Sequence, residues 1–165
     1  MKKTIWLLSL LWILVLSGCG GSKNIVEYND SFVVLVKECT DANQALFQTF
    51  NAEWTTIDAI VASLQNNIVI CDNAKKKALD LWDYEKDSSL KDGVVNLLAM
   101  EVDYLQKFWS TERYRNIDNI TEEDRLAYDW LVSDLNASQN SLNDQFTNLQ
   151  KIQEGFAAKY GLKLE

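Results

Sequence analysis

The chain has 165 residues, with 24 acidic against 16 basic side chains and a formal charge of −8. That length suits one domain with a substantial core, and the acidity argues against a general basic surface for nucleic acid or anionic head groups. Histidine is absent, which removes Ser-His-Asp and Cys-His catalysis, histidine-ligated zinc and the Glu-x-x-His pairs of di-iron bundles; proline is absent too, which biases the chain towards long uninterrupted helices.

Met1-Lys2-Lys3 makes a positive start, Ile5 to Leu16 is apolar apart from Ser9, and the small residues Ser17 and Gly18 follow. This is the layout of a secretory signal, too short to span a bilayer permanently. The run Leu16-Ser17-Gly18-Cys19 resembles the lipobox of bacterial lipoprotein precursors, a resemblance confined to residues 1–19. It implies that residues 1–18 are cleaved and that Cys19 becomes the first mature residue. The Cys19 thiol would then be diacylglycerylated and its amine often acylated, enough chains for stable anchoring. Gly20, not Asp, follows the cysteine; by the sorting rule of enteric bacteria that favours the outer membrane, on its periplasmic or surface face. The mature chain would keep 147 residues with 14 basic and 24 acidic side chains, a formal charge of −10.

Residues 19–26 are expected to be the lipidated cysteine and a short spacer, with Gly20-Gly21-Ser22-Lys23-Asn24 flexible. A helical domain follows over residues 27–161. Its first helix should run from Glu27 to Asn51, because Tyr28, Phe32, Leu35, Cys39, Ala42, Leu46 and Phe50 recur at steps of four and three. The β-branched run Phe32-Val33-Val34-Leu35-Val36 invites a strand reading, but the helical stripe continues on both sides of it. After a break at residues 52–55, Thr55 can cap a second helix, with Asp58 at its third helical position. That helix is expected to reach Lys86, with Ile57, Val61, Leu64, Ile68, Cys71, Ala78 and Trp82 on its apolar face.

Cys39 and Cys71, in an exported chain, read as a disulfide; two buried free thiols are the alternative. Each lies sixteen residues from Thr55, so an antiparallel hairpin turning there brings both to one height, since both helices rise equally per residue. A bridge across such a loop contributes about 3–4 kcal/mol in the chain-entropy treatment.

Asp87-Ser88-Ser89 starts a third helix, expected to reach Arg115, with Leu90, Val94, Leu97 or Leu98, Leu105, Phe108 and Trp109 inward. Gly93 weakens its first turns by ~1 kcal/mol relative to alanine. Residues 116–120 are a loop. Thr121 with Glu122, Glu123 and Asp124 caps a fourth and longest helix, expected over Glu122 to Lys159. Leu131, Leu135, Ser138, Leu142, Gln145, Leu149, Ile152 and Phe156 form its stripe, Gly161 its left-handed cap, and residues 162–165 a tail. The fold expected is all-α, an antiparallel up-and-down four-helix bundle.

Few side chains invite chemistry. Lys75-Lys76-Lys77 and the carboxylate sets Asp80 with Asp83, Glu101 with Asp103, and Glu122 with Glu123 and Asp124 read as solvated helix faces or caps. Glu101 is the exception, since its position on the stripe places it near the core, at the edge and paired with a lysine or as a buried acid of raised pKa. Trp54, Trp82, Trp109 and Trp130 could line a groove or a partner surface, although their spacing beside aliphatic residues suits core packing; Trp54, in a turn, suits it least. Asn119-Ile120-Thr121 matches a glycosylation sequon by chance.

Tyr28-Asn29-Asp30 and the close Gln153-Glu154-Gly155-Phe156-Ala157-Ala158-Lys159-Tyr160-Gly161, behind a lipobox, are similar to helical surface lipoproteins of Gram-negative bacteria. No motif of known chemistry comes with that likeness. The expectation is a non-enzymatic protein-binding or scaffolding module, held at a membrane by lipid on Cys19 and meeting an envelope protein. It would have no cofactor, no metal and no nucleic-acid partner. The alternative is a small-molecule or lipid carrier with a groove between helices; an enzyme using carboxylates alone would need a buried cluster of acids.

Overall fold

The computed structural model describes residues 23–52, 56–112 and 121–162. They form four helices: α1 (Lys23–Asn51), α2 (Ile57–Asp80), α3 (Ser89–Glu112) and α4 (Glu122–Tyr160). No strand is present among the described residues; an isolated bridge joins Tyr84 to Asp87. The architecture is an all-α four-helix bundle, as the periodicity requires.

Cross-helix pairs give the directions. Cys39 faces Cys71 and Asn43 faces Asn67, so α1 and α2 are antiparallel. Asn43 meets Glu101 and Phe50 meets Phe108, so α1 and α3 are parallel. Gln145 meets Gly93, Ser138 meets Asp103 and Asp134 meets Lys107, so α4 returns antiparallel along α3. The bundle therefore has a near end, with the start of α1, the α2–α3 turn and the end of α4, and a far end, with the end of α1 and the start of α4.

The helices do not share the core equally. Of the 24 residues of α3, 11 are buried, because α3 lies against α2, α4 and part of α1. Of the 39 residues of α4, 4 are buried. Among the described residues α4 runs close to α3 alone, reaching α1 only through long side chains near its C-terminus, where Gln153 Nε2 donates to Asn29 Oδ1 at 3.0 Å and the Phe156 ring lies 5.7 Å from Tyr28.

Local chemistry accounts for most boundaries. α1 is already helical at Lys23, the first described residue and four before the expected Glu27, and Ile25 is buried in the core. Thr56, not Thr55, caps α2, accepting from the Ala59 amide at 3.2 Å. Asp87 accepts from the Ser89 amide and hydroxyl at the start of α3. Thr121 and Asp124 form a reciprocal capping box, and Gly161, at φ 67, ends α4 in the left-handed conformation. Leu162, assigned by sequence to a tail, is buried, and its amide donates to Ala157 O at 2.8 Å.

The main departure is at α2, which ends at Asp80 and not at Lys86. Leu81 is extended, and Glu85 and Lys86 both have positive φ, 48 and 65. The Asp87 amide donates to Tyr84 O at 2.7 Å, closing a tight turn with two non-glycine residues in the left-handed region. Each such residue costs on the order of 1 kcal/mol or more. Contacts on both sides offset that strain. Tyr84 stacks edge-on with Tyr160 and packs on Tyr28 and Phe156. Lys159 pairs with Asp87 at 2.6 Å, and Lys91 pairs with Asp83 while donating to Leu81 O.

Gly93 has a packing role as well as a propensity cost. A Cβ there would stand 3.0 Å from both Leu149 Cδ1 and Ile152 Cδ1, so its bare backbone lets α4 approach α3.

Candidate functional site

Two regions place chemistry-bearing side chains together: a polar spine inside the bundle and an uncovered face on α4.

The spine crosses three helices. Cys39 and Cys71 form a disulfide with Cα atoms 4.7 Å apart. Asn67 Oδ1 lies 3.6 Å from Cys71 Sγ, a contact only, since a bridged sulfur has no proton to donate. Asn67 Nδ2 donates to Asn43 Oδ1 at 2.8 Å, and Asn43 Nδ2 donates to Glu101 Oε2 at 3.0 Å. Both asparagines are buried, and Glu101 is 6 % exposed. Burial pushes the Glu101 carboxyl up to about 7, against its ordinary 4.5, with the Asn43 hydrogen bond opposing. Burial, aided by the nearby Glu101 charge, pushes the Tyr104 hydroxyl up to about 12.

Glu101 thus sits in the core and takes an amide as its partner, where a lysine at the stripe's edge was the other expectation. The asparagines are what periodicity missed. On α1 the buried position is Asn43 where the stripe named Ala42, and on α2 Asn67 is buried while Ile68 is partly covered. A polar residue beside an apolar one leaves no mark in a hydrophobic stripe; the signal would have been the shared height of Asn43 and Asn67, one turn from the cysteines on the far-end side.

Among the described residues the other acids lie outside the core. Asp103 and Asp134 pair with Lys107, Asp83 with Lys91, and Asp72 with Lys75 and Lys76. Lys77 pairs with Glu38, so the lysine run is a solvated face. The two contacting lysines hold the Asp72 carboxyl at about 2. Among the described residues no group of three or more His, Cys, Asp or Glu is placed to hold a metal ion, and no helix is long and apolar enough to cross a membrane.

The second region is the N-terminal half of α4. From Glu122 to Ser141 no side chain is buried; the first buried residue is Leu142. Leu126 and Trp130, one helical turn apart on one face, are 59 % and 66 % exposed. Arg125 bridges Glu122 and Asp129 beside them, giving an apolar pair with a charged rim. α4 is long enough to place them at the far end: its 39 residues span ~58 Å against ~36 Å for the 24 of α3.

The tryptophans therefore divide. Trp109 packs against the core. Trp130 is exposed, and Trp82, expected on the apolar face of α2, is 58 % exposed because the helix stops two residues before it. Ile57, expected on the same face, is exposed at the first residue of α2. Trp54, Cys19 and the sequon residues Asn119 and Ile120 lie outside the described residues.

Comparison of the chain with protein-family models, with curated proteins and with solved structures returns no match.

Proposed function

We propose that the chain is an envelope lipoprotein, anchored through lipid on Cys19, whose bundle is a non-enzymatic module that binds or scaffolds another envelope protein. The observation that carries the binding half is the uncovered pair Leu126 and Trp130 on a helix flank with no buried side chain over twenty residues. An exposed tryptophan beside a leucine, rimmed by charge, has the composition of a protein interface centre. α1 starts at the near end, so a tether there turns the far end and this flank away from the membrane.

Two measurements test the two halves separately. Globomycin should accumulate uncut precursor, and the mature protein should weigh more than bare polypeptide by its acyl chains; undisturbed processing and a bare mass defeat the anchor. Cross-linked complexes from solubilised envelopes should contain a protein partner that is lost with Leu126→Ser and Trp130→Ser together. A partner retained at the same level moves the contact elsewhere. No partner in any form, with a small molecule or lipid seen by native mass spectrometry, replaces the module with a carrier.

A further inference from the structure

The near end of the bundle carries its own uncovered aromatic. Trp82 leaves the end of α2 with its ring 5.8 Å from Tyr28, and it is 58 % exposed. Leu79, three residues earlier, is 53 % exposed. The turn that follows holds Glu85 and Lys86 in the left-handed region, a cost retained where a surface must be held in one shape. Four of the charges around it are neutralised in pairs, Lys91 with Asp83 and Lys159 with Asp87. Beyond those pairs Asp80, Glu85 and Asp92 outnumber Lys86, so the end has no basic cluster to draw it to anionic lipid.

The reach of the chain decides what this end meets. Cys19 precedes Lys23 by four residues, at most ~14 Å of extended backbone. Tyr28, the residue under Trp82, lies five positions into α1, a further ~7.5 Å of helical rise. Fully stretched and upright, the linkage holds the level of Trp82 no more than ~20 Å from the lipidated sulfur, and a shorter path or a tilt brings it closer to the head groups.

We propose that the near end is a membrane-contact surface, with Trp82 seated in the head-group region of a zwitterionic bilayer. The inference rests on the Cys19 anchor proposed above. Tryptophan settles at that depth because its ring is apolar and its indole N–H needs a polar partner. The tether makes the contact intramolecular, so a weak intrinsic affinity suffices to keep the end seated. The bundle then stands with α4's Leu126 and Trp130 directed outward.

The test uses the acylated full-length mature chain in phosphatidylcholine vesicles, with and without brominated acyl chains. The mature chain holds Trp54, Trp82, Trp109 and Trp130. Bromine should quench one tryptophan's share of the emission in the wild type and none in Trp82→Phe, a change that keeps a ring on Tyr28. Flotation with the vesicles, read on the same samples, reports the anchor. Protein that floats but is not quenched, or is quenched equally in Trp82→Phe, overturns the surface and leaves the anchor standing. An acylated chain that does not float overturns both.

Discussion

α3 and α4 are neighbours with opposite commitments. α3 buries almost half of its residues and carries the interior acid; α4 is half as long again and buries a tenth of its own. The difference is one of neighbours. Among the described residues α3 is flanked by α2, α4 and α1, whereas α4 has α3 beside it and reaches α1 through Gln153 and Phe156. A helix with one neighbour can satisfy its backbone internally and still leave most of its surface available, so most of the buried core lies in α1–α3 and the proposed contact surface lies on α4.

The sharpest way to break that division is to unfasten the core. Replacing Cys39 and Cys71 together by serine removes the crosslink over a separation of 32 residues and should lower unfolding stability by about 3–4 kcal/mol. Chemical denaturation of oxidised and double-variant protein measures it. A loss below about 1 kcal/mol would mean that packing of α1 on α2, and not the bridge, fastens the core.

Next in size is the buried acid. Glu101 titrates near 7 when folded and near 4.5 when free, so between those values the folded state binds more protons than the unfolded one. Stability therefore falls as pH rises through this window, by up to about 3 kcal/mol once the carboxyl is charged in both states. The Asp72 and Asp87 carboxyls are held at about 2 by their lysines. Their contribution runs the other way, present at neutral pH and lost only below about pH 4, so the two windows do not overlap. Glu101→Gln, which keeps an acceptor for Asn43, should flatten the loss between pH 5 and 8 and leave the acid limb alone. An unchanged slope in that variant would show that the carboxyl is solvated and not part of the core.

The seam between the two helices comes third. Gly93→Leu drives a side chain into Leu149 and Ile152 and should cost about 1–3 kcal/mol by overpacking. Amide exchange should then speed up along α4 far more than along α1 and α2. Equal acceleration everywhere would make α4 part of the same cooperative unit as the core.

The same contrast explains what could be read from sequence. α3 was legible because its apolar residues are strong, frequent and truly buried; α4's ends were legible because Thr121, Asp124 and Gly161 bond as caps whatever the rest does. The cysteine pair was legible from equal distances to one turn, even though Thr56 and not Thr55 is the cap. Three things were not. Asn43 and Asn67 are buried by pairing with each other and with Glu101, which no single-helix pattern records. The end of α2 at Asp80 lacks a glycine or proline and depends on Tyr84 finding Tyr28 on α1 and Phe156 and Tyr160 on α4. Trp82 and Trp130 looked like core residues because exposure depends on which neighbour arrives; Tyr28 meets one side of the Trp82 ring, and most of both tryptophans stays in solvent.

The smallest effect on stability should accompany the largest on recognition. Leu126 and Trp130 are mostly in solvent already, so replacing both by serine removes little buried area and should shift unfolding by no more than about 0.5 kcal/mol. If they centre an interface, the same change should weaken partner capture by tenfold or more, since truncating a tryptophan anchor commonly costs over 1.4 kcal/mol of binding. Leu142→Ser is the matched control. It is further along the same helix but buried, so it should cost stability and, in the fraction that stays folded, leave capture intact. A double serine variant that loses stability in step with Leu142→Ser would place Leu126 and Trp130 in the packing of the bundle, and the distinction between a core α3 and a displaying α4 would fail at the residues chosen to define it.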